Sequence, residues 1–157
     1  MNYLELNNYP LHWVFNRADM AISDADKAAL LPLTAAFARQ VWQRDVSTDA
    51  VDLERLETTD WLAQPQHWHG QQRWDLAFES DEPTLPVELA DYLHWDPNTV
   101  VYVCYDAEHI IETRYATFCR CWKALLFAAE QALVIGKRRK EVLWFVDDAH
   151  VKMGHRA

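Results

Sequence analysis

The residues of this chain that could do chemistry are few, and the most compact group of them is basic. Lys137-Arg138-Arg139-Lys140 could dock a phosphate, an acidic partner or the acidic half of a second copy of the chain. A solvated hairpin tip explains the same residues, because lysines at a sheet edge discourage association between edges. Both interpretations stay open at the level of sequence.

Three carboxylates and a histidine form the second group of candidates. The segment Asp147-Asp148-Ala149-His150 follows a predicted strand, and its side chains could form a hard-cation site or an acid–base site. The same Asp-Asp pair is also a common way to end a strand in a turn. Glu112 precedes the predicted central helix, where it would help to cap that helix or, if buried, pair with Arg114 or Lys137. A buried carboxylate with a shifted pKa would be a candidate acid or base.

The histidines and cysteines lack the spacing of a recognised metal or nucleophile site. His67 and His69 could supply two metal ligands on a strand, but their context predicts a helix from His67 to Phe78, on which such positions diverge. No Cys or acidic residue nearby completes a zinc spacing. Cys104 lies in an apolar run, which predicts an inert buried thiol. We therefore expect no metal and no cofactor.

The composition excludes several other classes of function. With only three glycines, the chain has neither a Walker loop nor a dinucleotide-binding turn, because both need several glycines within a few residues. The net charge of −9 repels phosphate backbones and disfavours nucleic-acid binding. No apolar run is long enough to span a bilayer, which predicts no membrane partner.

The length of the chain and its cysteines indicate the number of domains and the cellular compartment. A chain of 157 residues predicts a single domain over 1–157 with a core of its own. The start of the chain shows no signal-peptide pattern, and three cysteines make an odd number, which disfavours a disulfide framework. We therefore expect an acidic, tryptophan-rich cytoplasmic protein.

The elements that must position the candidate residues lie mostly between 98 and 147. Apolar runs predict strands near 100–105, 132–136 and 141–146, and a regular apolar stripe predicts a helix over 114–128 with Lys123 on its polar side. Residues 136–140 predict a hairpin connection, with Gly136 available for positive φ. Helices from the first half must cover the sheet, which gives an α+β fold with a small mixed or antiparallel sheet.

Three tryptophans mark the acidic region of the first half. Trp61, Trp68 and Trp74 do not share one helical face, and they would form either an aromatic binding surface or anchors that hold short elements to the body. The second role is structural and needs no ligand.

The chain carries the pattern VVYVCYD…IIETRYATFCRCWKALLF…LVIGKRR…VLWFV…KMGHR. This pattern resembles that of a family of small uncharacterised bacterial proteins, the domain-of-unknown-function family numbered 2947. The residues that carry the resemblance are Glu112-Thr113, Phe118, Trp122-Lys123, Leu126-Phe127, Gly136-Lys137-Arg138 and Gly154-His155-Arg156. The likeness extends from Phe15-Asn16-Arg17 to the C-terminus. It implies a cytoplasmic, single-domain protein, and it transfers no catalytic residues because the family has no assigned activity.

These observations favour a non-enzymatic binding or regulatory protein that meets a protein partner through an acidic, aromatic-rich surface or through the basic turn. An immunity-type inhibitor is one version, since opposite charge speeds the capture of a basic partner. The alternative is a small-molecule-binding protein or an enzyme, with Glu112, Lys123, Asp148 and His155 lining a polar pocket beside the sheet. Both functions are compatible with a homo-oligomer.

Overall fold

A seven-stranded sheet forms the centre of the computed structural model, which describes residues 1–20, 22–127 and 129–156. Its strands are β1 (Leu31–Pro32), β2 (Trp68–Arg73), β3 (Val100–Asp106), β4 (His109–Arg114), β5 (Ala132–Gly136), β6 (Glu141–Phe145) and β7 (His150–His155). Their order is β1-β4-β3-β5-β6-β7-β2, and every neighbouring pair is antiparallel. The α+β class is confirmed, and the sheet has more strands than the sequence predicts.

Helices cover both faces of this sheet. They are α1 (Asp24–Ala28), α2 (Ala35–Asp45), α3 (Asp75–Glu79), α4 (Val87–Leu93) and α5 (Tyr115–Phe127). Helix α5 packs with α4 on one face, and α2 packs on the other, so that two apolar clusters lie on opposite sides of the sheet. The helix predicted over 114–128 is confirmed up to Phe127, and Ala128 lies outside the described residues.

Strand β3 shows why the central part of the chain was predictable. Val101 and Val103 belong to the cluster on the α5 side, whereas Tyr102 and Cys104 belong to the cluster on the α2 side. Because both faces of the strand are covered, its apolar residues run without alternation, and this pattern predicts a central strand. The strands predicted near 132–136 and 141–146 are confirmed as β5 and β6.

Local signals define the helices of the first half. The Ser23 hydroxyl caps α1 by accepting a hydrogen bond from the Asp26 N–H, and the Thr34 hydroxyl caps α2 in the same way through Phe37. Pro32 lies between the two helices, on β1 at the edge of the sheet, where its missing N–H removes no inner ladder bond.

The position of Glu112 on β4 contradicts the role that the sequence predicted for this residue. Residue 112 lies within β4, which pairs with β3 and leads directly into α5, so it neither caps that helix nor pairs with Arg114 or Lys137. Its carboxylate instead accepts a hydrogen bond of 3.1 Å from the Tyr3 hydroxyl. The prediction was wrong because β4 carries polar residues that interrupt its apolar pattern.

The helix predicted from His67 to Phe78 is also wrong. Residues 68–73 form β2, the outer strand beside β7, and only 75–79 are helical, as α3. Side chains of β2 alternate between half-buried and exposed positions, as expected of a strand with one face in water. Polar residues at both kinds of position hid this alternation in the sequence.

The basic turn joins β5 to β6 as predicted, but its backbone differs in detail. The residue with positive φ is Arg138 (φ 63°), not Gly136. Gly136 is instead required for space, since a Cβ there would lie 2.9 Å from the Cγ of Arg139 and 3.0 Å from the Cζ2 of Trp95.

Candidate functional site: a basic pocket at one end of the sheet

A cavity of about 490 Å³ opens where β5 turns into β6, and we call it the basic pocket. It is lined by four cationic side chains, one carboxylate and one indole, namely those of Arg44, Lys137, Arg138, Arg156, Asp45 and Trp61. Four positive charges and one negative charge leave a local sum of +3 at neutral pH, whereas the whole chain carries −9. The pocket therefore concentrates positive charge in a chain that is otherwise acidic.

Four parts of the chain meet at this pocket: the basic turn, the end of α2, the residue after β7 and the segment that carries Trp61. Helix α2 ends at Asp45, and its last turn supplies Arg44 and Asp45. Strand β7 lies beside β6 with His155 opposite Glu141, so that the next residue, Arg156, emerges alongside the basic turn. The backbone N–H of Arg156 donates to the carbonyl of Lys140 at 2.9 Å and fixes this position.

Arg156 acts mainly as a clamp. Its Nε donates to the carbonyl oxygen of Arg139 at 2.8 Å, and its Nη2 donates to that of Gly136 at 2.7 Å. Its Nη1 lies 3.2 Å from Asp45 Oδ1, and only 17% of the side chain is exposed. The guanidinium thus ties the turn, the end of β7 and the end of α2 together.

Asp45 is shared between two guanidinium groups. In addition to Arg156, the Nη2 and Nε atoms of Arg44 donate to Asp45 Oδ2 at 2.7 Å and 3.1 Å. Hydrogen bonding to this carboxylate raises the pKa of Arg44, so the guanidinium stays charged. More than half of the Arg44 side chain remains exposed, at 54%. It can therefore offer its remaining donors to a ligand.

Lys137 and Arg138 supply the charge that protein groups do not neutralise. Both side chains are exposed at the tip of the turn. Among the described residues, no carboxylate lies within ion-pair distance of either. Arg139, from the same turn, points elsewhere and donates to the Thr99 hydroxyl at 3.3 Å.

The aromatic wall of the pocket is Trp61. Its ring stacks on that of Trp68 with centroids 6.0 Å apart and planes 20° apart, and it meets His67 edge-on. Trp68 is anchored in turn by its Nε1, which donates to the Leu62 carbonyl at 2.9 Å, and Trp74 is buried against the body. Trp68 and Trp74 are therefore anchors, whereas Trp61 both anchors its segment and lines the pocket.

A group of imidazoles lies at the end of β7. The rings of His69 and His155 stack with centroids 4.4 Å apart, and the Nε2 of His69 contacts the Nδ1 of His155. His67 Nδ1 donates to the His155 carbonyl at 2.8 Å. Within the described ranges, no group of three or more His, Cys, Asp or Glu side chains is arranged to hold a metal ion.

The structure does not bring the predicted polar pocket together. Glu112 lies on β4 near the β1 edge, and Lys123 lies on α5, where its Nζ donates to the Ser80 carbonyl at 2.7 Å. Asp148 lies in the turn between β6 and β7, and His155 lies at the far end of β7. The predicted residues that line one cavity together are Lys137 and Arg138.

Residues 147–149 form the turn that follows β6, and His150 begins β7. Asp147 Oδ1 accepts hydrogen bonds from the N–H groups of Ala149 and His150 at 2.8 Å and 2.6 Å. These backbone bonds lower the pKa of Asp147. The imidazole of His150 lies 3.2 Å from the same carboxylate. The segment thus has a structural role as a turn that leads into β7.

Two other cavities are acidic. One, of about 490 Å³, is lined by carboxylates of Asp52, Glu54, Asp106 and Glu130 together with the imidazole of His109. The other, of about 430 Å³, we call the acidic groove. Apolar side chains and four carboxylates line it, namely Trp74, Phe78, Leu126, Phe127, Ala129, Asp75, Glu79, Glu130 and Asp148. Both contrast with the basic pocket.

Sequence reasoning missed half of the basic pocket. It singled out Lys137 and Arg138 by their charge, but Arg44, Asp45 and Arg156 were not chosen as site residues. Arg156 could have been identified from the pairing of β6 with β7, because that pairing places Arg156 beside the basic turn. That pairing was not predicted because β7 was not recognised.

Comparison with known proteins identifies a family that covers nearly the whole chain. The family model described as "Protein of unknown function (DUF2947)" matches residues 3–154. No curated protein and no solved structure matches the chain. In the part of the chain that the structure describes, no helix has the length and apolar character needed to cross a membrane.

Proposed function

We propose that this protein, which belongs to the DUF2947 family of proteins of unknown function, binds a small anionic ligand in the basic pocket. The observation that carries the proposal is the convergence of four cationic side chains on one cavity in a chain of net charge −9. Like charges held this close repel each other, and a bound anion removes that repulsion.

The residues of the pocket divide into two roles. Arg156 and Asp45 hold the walls in place through their mutual ion pair and the carbonyl contacts of Arg156. Arg44, Lys137 and Arg138 are exposed and contact the ligand. The planar guanidinium of Arg44 or Arg138 matches two oxygens of a phosphate or carboxylate, whereas the ammonium of Lys137 acts as a point charge.

The size of the cavity agrees with a small-molecule site. A volume of about 490 Å³ lies within the range of about 300–1,000 Å³ that ligand pockets span. Binding of a small molecule was the alternative function at the level of sequence, but the residues that support it in this proposal are not Glu112, Lys123, Asp148 and His155. Its side chains supply charge and aromatic surface, which suit the binding of a ligand.

Calorimetric titration with inorganic phosphate, at low and moderate salt, tests this function. The variants Lys137→Gln and Arg138→Gln should each weaken phosphate binding several-fold, and together by about tenfold or more. Lys140→Gln is the matched control, because it removes the same charge from the same turn without lining the pocket. Equal losses for all three variants, or no binding of phosphate, sulfate or citrate at low salt, would contradict the proposal.

A second candidate function is favoured by the acidic groove. Phe78 and Phe127 stack there with centroids 6.5 Å apart, and Trp13 meets Phe127 edge-on at 6.2 Å. Trp13 and Phe127 are 49% and 40% exposed. Aromatic side chains beside four carboxylates are complementary to a protein segment with an apolar anchor and flanking lysines or arginines. Such a segment would replace the Arg17 guanidinium, which lies 4.5 Å from the centre of the Phe127 ring. We propose such a basic segment as the partner, which would suit a regulatory or inhibitory role.

Synthetic peptides test the second candidate. A peptide with Trp and Leu anchors between lysines should bind, and the same peptide with Glu in place of Lys should not. The variant Phe127→Ser should weaken binding, whereas Leu76→Ser, which changes an exposed leucine outside the groove, should not. Equal binding of the two peptides would exclude a charge-complementary groove.

We also propose that the protein works in the cytoplasm of a bacterium. All three thiols, Cys104, Cys119 and Cys121, are free, as is usual for a protein of a reducing compartment. The bacterial origin rests on the family resemblance. Fractionation of the native host should recover the protein with cytosolic markers, and recovery in the secreted fraction would contradict the assignment.

A further inference from the structure

A second cleft borders the basic pocket. It has a volume of about 260 Å³ and shares Arg44, Asp45 and Trp61 with the pocket. Its remaining wall comes from the segment after α2 and from the residues before Trp61. A ligand that fills the basic pocket therefore has a neighbouring space into which the rest of its structure can extend.

The chemistry of the second cleft differs from that of the pocket. Gln43, Thr48 and Thr59 line it with exposed side chains, whose amide and hydroxyl groups both donate and accept hydrogen bonds. Asp60 also lines it and is held in place, because its carboxylate accepts from the Ser47 hydroxyl at 2.6 Å and from the Glu57 N–H at 2.8 Å. A fixed carboxylate among hydroxyl and amide groups suits the hydroxyls of a ligand.

The distribution of charge assigns an orientation to the ligand. The basic pocket sums to +3, whereas the ionised residues of the second cleft, Arg44, Asp45 and Asp60, sum to −1. An anionic group is therefore attracted into the pocket and repelled from the cleft. The ligand that fits both has a single anionic end and a neutral, hydroxylated body.

Trp61 lies at the border between the two spaces. Trp68 covers one face of its indole, and the residue is only half-buried, so part of its surface faces the cavities that it lines. Indoles pack well against flat, weakly polar surfaces, such as the C–H face of a sugar ring. A ring at this point would leave its hydroxyls directed toward the amide, hydroxyl and carboxylate groups of the cleft.

We infer that the ligand is a sugar monophosphate, with its phosphate among Arg44, Lys137 and Arg138, its ring against Trp61 and its hydroxyls in the cleft lined by Thr48, Thr59 and Asp60. This inference rests on the proposed anion-binding function and adds the class of ligand. The phosphate supplies the charge that the pocket attracts, and the sugar supplies the donors that the carboxylate of the cleft accepts.

Calorimetric titration with ribose 5-phosphate, glucose 6-phosphate, inorganic phosphate and glucose tests the inference. At least one sugar monophosphate should bind about tenfold or more tightly than inorganic phosphate, and glucose alone should bind weakly. Fructose 1,6-bisphosphate should gain nothing from its second phosphate, because that group would meet the acidic side of the cleft.

Variants separate the two parts of the site. Thr48→Val and Thr59→Val change exposed side chains without altering their shape, and should reduce the affinity for the sugar monophosphate several-fold while leaving that for phosphate within twofold. Trp61→Leu should also reduce the affinity for the sugar monophosphate several-fold, and Trp13→Leu, which changes an exposed tryptophan outside the lining of both cavities, is its control.

The possible failures are distinguishable. If no phosphate-bearing compound binds, the anion-binding function fails and the ligand class fails with it. If inorganic phosphate binds as tightly as the sugar monophosphates, or the bisphosphate binds more tightly than either, only the ligand class is overturned. Binding of adenosine monophosphate about tenfold more tightly than ribose 5-phosphate would also overturn it, because recognition would then lie in the base.

Discussion

The Nη1 atom of Arg156 lies 3.2 Å from the Oδ1 atom of Asp45, and this ion pair joins the residue after β7 to the last residue of α2. The two side chains are 17% and 15% exposed, so water screens the pair less than it would at the surface. The same carboxylate also holds Arg44. One acidic residue thus fixes two of the four cations of the basic pocket.

The variant Asp45→Asn should change stability and binding in opposite directions. Removing the carboxylate charge should lower the free energy of unfolding by about 1–3 kcal/mol, because hydrogen bonds between charged groups are lost. The charge of the pocket would rise from +3 to +4, so the affinity for inorganic phosphate should increase several-fold. Urea denaturation and calorimetry measure the two effects.

Asp49→Asn is the control for that experiment, since Asp49 is exposed near the end of α2 and does not line the pocket. It carries the same change of charge, and it should leave stability and phosphate affinity almost unchanged. Weaker phosphate binding by Asp45→Asn than by the unmodified protein would show that the carboxylate is needed more for position than for charge balance.

Two glycines of the β2–β7 pair should respond very differently to alanine. A Cβ at Gly154 would collide with the backbone carbonyl of His67 and with the ring of Trp68, so Gly154→Ala should cost about 2 kcal/mol or more. A Cβ at Gly70 would lie 3.1 Å from the flexible end of Met153, so Gly70→Ala should cost less than about 1 kcal/mol. Comparable midpoints of urea denaturation for the two variants would contradict the close approach of β2 to β7.

The three thiols should be slow to react in the folded protein. Burial raises the pKa of Cys121 to about 12 and raises the pKa values of Cys104 and Cys119 above the ordinary range. An aromatic disulfide reagent at pH 8 should therefore modify the half-buried Cys119 first and slowly, and all three thiols only in urea.

Cys119→Ser is the informative variant in the thiol experiment, since it should abolish the slow phase and leave the reaction in urea with two thiols of the original three. Rapid modification of Cys104 in the folded state would contradict its assignment as an inert core residue.

The ion pair between Asp26 and Arg120 should give a small acid-dependent contribution to stability. The guanidinium donates to both carboxylate oxygens at 2.9 Å and 3.1 Å, which lowers the pKa of Asp26. A lowered pKa in the folded state stabilises the fold above the unfolded pKa of about 3.9, and this contribution is lost as the pH falls through the folded value. Because Arg120 is 54% exposed, the effect should stay below about 1 kcal/mol.

Comparison of Asp26→Asn with the unmodified protein checks that prediction. Their free energies of unfolding should differ by a constant amount above about pH 5 and converge toward about pH 2. Asp24→Asn, in the same first turn of α1, is the control for the loss of a charge near the helix start. A difference for Asp26→Asn that persists unchanged at pH 2 would exclude the ion pair as its source.

The strands that the sequence predicted are covered on both faces, and the helix α5 was predicted from its regular apolar stripe. β3, β5, β6 and α5 have apolar patterns dictated by burial alone, and they were found close to their observed bounds. β2 and β7 bury less of their surface, and their polar and charged residues obscure the period of two. An uninterrupted apolar pattern, and not burial by itself, determined which strands were predicted, since β4 buries Ile110 and Ile111 on opposite faces and was missed.

The candidate site was predictable only in part, for a topological reason. The charge of Lys137 and Arg138 is a local property that the sequence displays directly. Their neighbours Arg44, Trp61 and Arg156 are distant in the chain, and they meet the turn because α2 ends beside it and β7 pairs with β6. No spacing rule connects such residues, so charge alone could not distinguish a pocket wall from a solvated hairpin tip.

The positions of the two outermost strands affect how the chain folds during its synthesis. β1 and β2 come from the first half, whereas their partners β4 and β7 come from the second half. During synthesis from the N-terminus, the first half leaves the ribosome before β4 and β7 have been made. The seven-stranded sheet is complete only after β7 has emerged. Trp61, Trp68 and Trp74 have no sheet to pack on during that interval. This segment therefore keeps exposed apolar surface, and with it a tendency to aggregate, until β7 has been synthesised.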